Sequence, residues 1–491
     1  MEEERKSYNS IFKASAIFGG VQIFQVFIQI IRAKIVALLL GPAGVGVFGL
    51  FNVTVSFVSS ITNFGLGTSA IKEIAVANEQ NKENKISETL YVLKKLVWFT
   101  GLLGMIISII FSPLLSQLTF GNFDYTYTFV WLSISLLFNQ LTTGKLVILQ
   151  GLRKVKILAK ANLLGSVFGL IIVFPLFYFF RIDGIATSII VYSITLYFFA
   201  WYFTRTIPLQ YIQINNNEVF RKGKVMLTMG FILGISGLIT ALSNYLTSLF
   251  IVNFGSIEQL GFYNAGIAIT TNYTGLIFAA IATDYHPRLS ALENDTLVKQ
   301  AVNQQAEIAL IILTPLILIF LVFGDFFIQI LYSNDFLSIK PMICWILLGT
   351  FFKLFSWAIS FTFVARGKIK LFFWNELVAN IYVLIFSLIG YYYFGLIGLG
   401  FAFLVSFVIY SVQVYILARK NFEFSYESLF IKNFIIQFTI SCFCYLVTMK
   451  LQPKYAYLLG MLFILFSFFY SIKELNKKIN LKELIKNKKW N

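Results

Sequence analysis

Gln22, Gln25, Gln29 and Arg32 follow one another at spacings of three, four and three within an otherwise apolar run, which sets them on one face of a helix. An arginine at a bilayer centre costs about 2.5–3.5 kcal/mol on insertion scales, so an aligned polar row is expected to face a cavity or another helix. Arg32 lies roughly 30 Å along such a helix from Ile11, and snorkelling to the headgroups is its alternative fate. Lys34 stands roughly 200° around from Arg32 and cannot share its face. Similar rows recur as Asn52, Ser56, Ser59 and Asn63, and as Ser236, Thr240, Ser243 and Thr247. Such rows line cavities, or simply pack helices together by interhelical hydrogen bonds.

Two further cations fall inside apolar segments. Lys145 continues a row of Ser135, Asn139 and Thr142, and Lys353 shares a helical face with Thr350, Trp357 and Ser360. An ion pair with Glu376, Glu73 or Asp284 would neutralise either lysine. All three acids are expected near the cytoplasmic ends of their helices, which leaves Arg32 and Lys353 without evident mates. A cationic cavity formed by Arg32, Lys145 and Lys353 would take an anion, and a pyrophosphate offers many acceptor oxygens to such groups. Glu376 is the carboxylate best suited to couple an ion to movement. No catalytic set is visible: His286 is the sole histidine and precedes Pro287, and Cys344, Cys442 and Cys444 lie in apolar runs without metal or disulfide spacing. No metal or cofactor is therefore expected. Of the aromatic residues, 18% of the chain, only Trp357 is a candidate to stack on a sugar ring.

The elements that must position these residues follow from composition. Hydrophobic residues make up 58% of the 491 and charged ones 12%, outside the soluble range. Near-continuous apolar runs such as Ile311–Val322 and Val383–Tyr393 are not the alternating pattern of a barrel strand, so an all-α polytopic membrane protein is expected. Hydrophobic windows place about fourteen transmembrane helices. Glu2, Glu3 and Glu4 open the chain beside Arg5 and Lys6, no small-residue cleavage site follows, and no removable signal peptide is expected.

A formal charge of +17 is spread through short connections rather than held on a folded basic domain, so no nucleic-acid partner is expected. Lys82, Lys85, Arg153, Lys154, Lys156, Arg205, Arg221, Lys222, Lys224, Arg366, Lys368, Arg419 and Lys420 fall on alternate connections, together with the basic tail. The positive-inside rule makes that side, and both termini, cytoplasmic.

An internal repeat organises the chain. "IVALLLGPAGVGVFGLF" at Ile35–Phe51 and "SLFIVNFGSIEQLGFYNAG" at Ser248–Gly266 each join an apolar helix end to a glycine (Gly41, Gly255) and a glycine-aromatic re-entry (Gly46 and Phe48, Gly261 and Phe262). Two pseudo-symmetric six-helix lobes are expected, over about 1–205 and 225–418, with a cytoplasmic linker at 206–224, two appended helices over 419–472 and a basic cytoplasmic tail at 473–491. Duplicated halves with a site at their interface are a common transporter build.

The "LLLGPAGVGVFGLF" turn, "YHPRLS" at Tyr285–Ser290, the span count and the short loops resemble the Wzx-type polysaccharide or O-antigen flippases of the MOP (MATE-like) superfamily. That resemblance implies a bacterial inner-membrane carrier that moves an undecaprenyl-pyrophosphate-linked oligosaccharide outward among membrane lipids, beside other polysaccharide-assembly proteins. A peptidoglycan lipid II flippase shares fold and charge and stays open as an alternative. A MATE-like exporter would need acidic residues where the first helix carries Gln and Arg. A membrane polymerase or glycosyltransferase would need an outer catalytic loop, and the longest one expected, Gly324–Lys340, holds only Asp325 and Asp335.

Overall fold

A computed structural model describes residues 2–80, 83–205, 207, 215–292 and 294–478, and among them no strand occurs. The chain runs through α1 (Glu2–Thr62), α2 (Leu66–Glu79), α3 (Glu83–Ile110), α4 (Ser112–Phe120), α5 (Thr126–Gly151), α6 (Val155–Phe180) and α7 (Gly184–Thr204). It continues through α8 (Asn216–Phe254), α9 (Ile257–Ala291), α10 (Asp295–Leu331), α11 (Lys340–Ala365), α12 (Ile369–Phe422), α13 (Ser428–Lys450) and α14 (Pro453–Lys478). Among the described residues eleven helical segments are long and apolar enough to cross a membrane, fewer than the fourteen or so expected. Three of them contain a backbone break: α10 kinks at Phe323 (φ −101°, ψ 20°), and α1 and α12 turn at glycines, Gly41 (φ 65°, ψ −168°) and Gly395 (φ 58°, ψ −141°). Only glycine enters that region without steric cost, and Pro42 then starts the next helix with its φ already set.

Two breaks depart from the expected spans. The helix expected to continue past residue 62 stops there: Phe64 (φ 48°) and Gly65 (φ 59°) are left-handed, and the Asn63 side chain accepts a hydrogen bond from the Gly65 amide at 2.8 Å. The third expected span is likewise cut at Phe111, where Pro113 opens the short α4. Start signals elsewhere are side-chain caps, Asn215 accepting from the Asn217 amide of α8 and Asn294 from the Thr296 amide of α10.

The fold comprises two compact units, Met1–Asn264 and Ala265–Asn491, so α8 packs with the first unit. In the first unit α5, α6 and α7 lie side by side, Gly165 and Gly169 of α6 giving room to Leu196 and Tyr192 of α7. In the second, α10 is its central helix, with Val302, Leu313, Ile317, Leu318 and Leu321 fully buried and α11, α13 and α14 around it. Large side chains such as Phe179, Tyr393 and Phe469 stand exposed, as a surface solvated by lipid allows.

Candidate functional site

Arg32 is held by aromatic faces. Its guanidinium carbon lies 4.7 Å from the ring centroid of Phe48 and 4.2 Å from that of Tyr192. Phe48 reaches it because α1 breaks at Gly41 between the two residues, and Tyr192 because Gly169 on α6 leaves space where a side chain would strike its ring. The Arg32 Nε is buried with no hydrogen-bond partner, and no carboxylate pairs with Arg32 among the described residues.

Beside it lies a cavity of about 260 Å³, lined by Gln25 and Gln29 of α1, Thr142 of α5, Asn162 and Ser166 of α6, and Tyr192 of α7. Tyr192 belongs both to this cavity and to the arginine's seat, so Gln25, Gln29 and Arg32 converge on one polar region inside helices of membrane-spanning length. Gln22, expected to extend the row, has its side chain outside the described residues. Asn162, Ser166 and Tyr192 are absent from the sequence-based site. The four-residue step from Asn162 to Ser166 in an apolar helix is the same signal that marked α1.

The remaining candidates are dispersed. Asn139 is half-buried on α5, where its backbone carbonyl accepts from the Thr143 hydroxyl at 2.9 Å. Lys145 enters a different cavity, of about 330 Å³, with Lys94 and Tyr91 of α3 and Tyr197 of α7. Along α1 beyond Gly41, Asn52 donates to the Phe48 carbonyl at 2.7 Å, Ser56 is exposed, and Asn63 sits in the break rather than on the helical face expected for it. On α8, Ser236 is half-buried, Thr240 is exposed and donates to the Ser236 carbonyl, and Ser243 is buried. None of these six residues lines either cavity, and the bonds of Asn52 and Thr240 to their own helices satisfy groups that a neighbour would otherwise meet.

In the second unit Lys353 stands 5.6 Å from the ring of Phe278 and 5.8 Å from that of Phe407, with no carboxylate partner among the described residues. The ion pair considered for it with Glu376 is not formed. Glu376 Oε1 instead accepts from the Tyr410 hydroxyl at 2.5 Å and the Asn375 amide at 3.3 Å, while Gln413 donates to Asn375 Oδ1 at 2.8 Å. Trp357 packs against Phe278, Tyr285 and Phe361, and Tyr285, from the Tyr285–Ser290 motif, donates to the Ala358 carbonyl at 2.6 Å.

A family model described as polysaccharide biosynthesis protein matches residues 35–341. The putative O-antigen transporter of Shigella flexneri is 23% identical over 383 residues, covering 75% of this chain and 88% of that protein. Among solved structures, the lipid II flippase MurJ in an inward closed conformation aligns with a TM-score of 0.72 over 94% of this chain and 99% of that one, at 14% identity. An inward-facing MATE family multidrug resistance transporter of the MOP superfamily aligns with a TM-score of 0.67 over 81% and 94%, also at 14%. At such identities the structural likenesses speak for the fold alone.

Proposed function

The chain belongs to the polysaccharide biosynthesis protein family, and from that premise we propose that it flips an undecaprenyl-pyrophosphate-linked oligosaccharide to the outer leaflet of the bacterial inner membrane. The observation that carries this reading is Arg32, a cation with no carboxylate partner among the described residues, standing beside a polar cavity lined by Gln25 and Gln29 among membrane-spanning helices. An anion is what such a seat lacks, and pyrophosphate is the strongest anion on a lipid-linked glycan. Support for the glycan comes from the O-antigen transporter relative, and support for a lipid-borne cargo from the fold shared with a lipid II flippase.

In this proposal Arg32 and Lys353 hold the pyrophosphate in turn as two six-helix lobes, 1–205 and 225–418, rock about a central path. The breaks at Gly41 and Gly395, together with α9, would bring the crossing segments to fourteen and both termini to the cytoplasmic side. Reconstitution in proteoliposomes tests the function. A lipid-linked oligosaccharide should become accessible to a membrane-impermeant glycosidase only when the protein is present, and faster than lipid II carrying the same reporter. Equal rates with and without protein would overturn the proposal, and a preference for lipid II would hand the function to the alternative flippase.

A further inference from the structure

The cavity between α3, α5 and α7 takes no part in that reading. Lys94 and Lys145 both line it, each lies within the other's electrostatic field, and neither has a carboxylate partner among the described residues. The acid of α3 nearest in sequence, Glu88, is engaged by Lys222 of α8. Two like charges in one recess repel, and both would be relieved by the same bound anion.

Depth and lining narrow that anion. Lys145 precedes the end of α5 by about 9 Å of helix, Trp201 the end of α7 by about 5 Å, and Ser87 follows the start of α3 by about 6 Å. The recess therefore opens near one set of helix ends and reaches inward along α3, where Lys94 lies about 16 Å and Trp98 about 22 Å from the start of the helix. Its lining is aromatic: Trp98 and Trp201 are 43% and 40% exposed, Tyr91 and Tyr197 line it with them, and Arg205 stacks on Trp201 at 5.7 Å. Tryptophan near a helix end, as Trp201 is here, meets the glycerol and upper acyl region of a lipid, and Trp98, deeper along α3, lies at the level of the chains.

We propose that this recess binds the headgroup phosphate of an anionic phospholipid from the surrounding leaflet, with Lys94 and Lys145 on the phosphate oxygens and Trp98 and Trp201 against the glycerol and chain. The bound lipid ties α3 to α5 and α7.

Native mass spectrometry of the purified full chain in detergent, titrated with phosphatidylglycerol or phosphatidylcholine, tests this. Phosphatidylglycerol should be retained and phosphatidylcholine not. The Lys94→Gln, Lys145→Gln double variant should bind phosphatidylglycerol about thirtyfold more weakly, the combined worth of two lysines near an anionic lipid. Lys160→Gln, which removes an exposed charge from α6, should bind like the parent, and Lys145→Arg alone should retain the lipid even if the double variant folds poorly. Equal retention by the double variant and the parent would overturn the site. Displacement by inorganic phosphate, or a preference for undecaprenyl phosphate over phosphatidylglycerol, would overturn the phospholipid as its occupant. None of these outcomes depends on whether the protein flips a glycan.

Discussion

Arg32 faces two rings instead of a carboxylate. Each cation–π contact is worth about 0.5–2 kcal/mol, against about 2.5–3.5 kcal/mol to place an arginine at a bilayer centre. The two rings can meet most of that cost, yet the buried Nε is left to be satisfied by something else. Removing the charge should therefore cost function rather than folding. Arg32→Ala and Lys353→Ala are each expected to abolish surface glycan while the protein stays at normal abundance in the membrane, with Lys34→Ala mild. Arg32→Lys should keep part of the activity and Arg32→Glu none. Glycan staining of whole cells beside an immunoblot reads this, and normal glycan in both alanine variants would remove the cationic seat from the mechanism. The spacing of Gln25, Gln29 and Arg32 was enough to gather them in advance, because a helix of constant pitch turns spacing into direction. Lys145 was not legible in the same way: sequence gave its depth, while the neighbour that claims it, Lys94, comes from a helix 51 residues earlier.

Helix breaks matter as much as helices for this site. The repeat identified Gly46 and Gly261, and the structure sets each of these helical glycines against the start of the other's helical segment: a methyl group on Gly46 would strike the Ile257 carbonyl, and one on Gly261 the Pro42 carbonyl. Backbone in direct contact leaves no side chain to move aside. Gly46→Ala and Gly261→Ala should each destabilise the protein by about 1–3 kcal/mol, as overpacking does. Gly237→Ala is the control, since a methyl there meets nothing within 4 Å and a helical alanine is favoured over glycine by about 0.5–1 kcal/mol. Thermal unfolding in detergent should show lower midpoints for the first two variants and no loss for the third; three equal midpoints would mean that the close approach is not a constraint in the folded protein. The breaks at 63–65 and at Phe111 escaped the hydropathy reading because a reversal of a few residues leaves the mean apolarity of a long window unchanged. Pro113 was a visible signal for the second break. For the first, Asn63 and Gly65 flank Phe64, a turn signal that a window of mean hydropathy does not register.

At the scale of the whole molecule the question is what drives transport. The chain carries no Gly-rich loop ending in Lys-Ser or Lys-Thr, and the membrane potential is a source of drive that needs no such motif. The membrane potential is negative inside, and moving one elementary charge through it is worth about 2.3 kcal/mol per 100 mV. A pyrophosphate with about two negative charges gains roughly 4–5 kcal/mol on leaving the cytoplasmic side at 100 mV, provided Arg32 and Lys353 return without a counter-anion. That bias exceeds a thousandfold in population, ample for a carrier. Flipping in proteoliposomes should accordingly respond to a potassium-valinomycin potential, faster when the compartment of origin is negative, slower when it is positive, and indifferent to ATP. Equal initial rates at zero, negative and positive potential would mean an electroneutral exchange, and the compensating proton or sodium ion would need a carboxylate within the helices. Glu376 is the carboxylate we propose for that role, since its hydrogen-bond partners Tyr410 and Asn375 are neutral. In that case Glu376→Gln should stop flipping driven by an imposed proton or sodium gradient while leaving counterflow of the lipid-linked glycan intact, whereas under the electrogenic mechanism the same variant should still follow the potential.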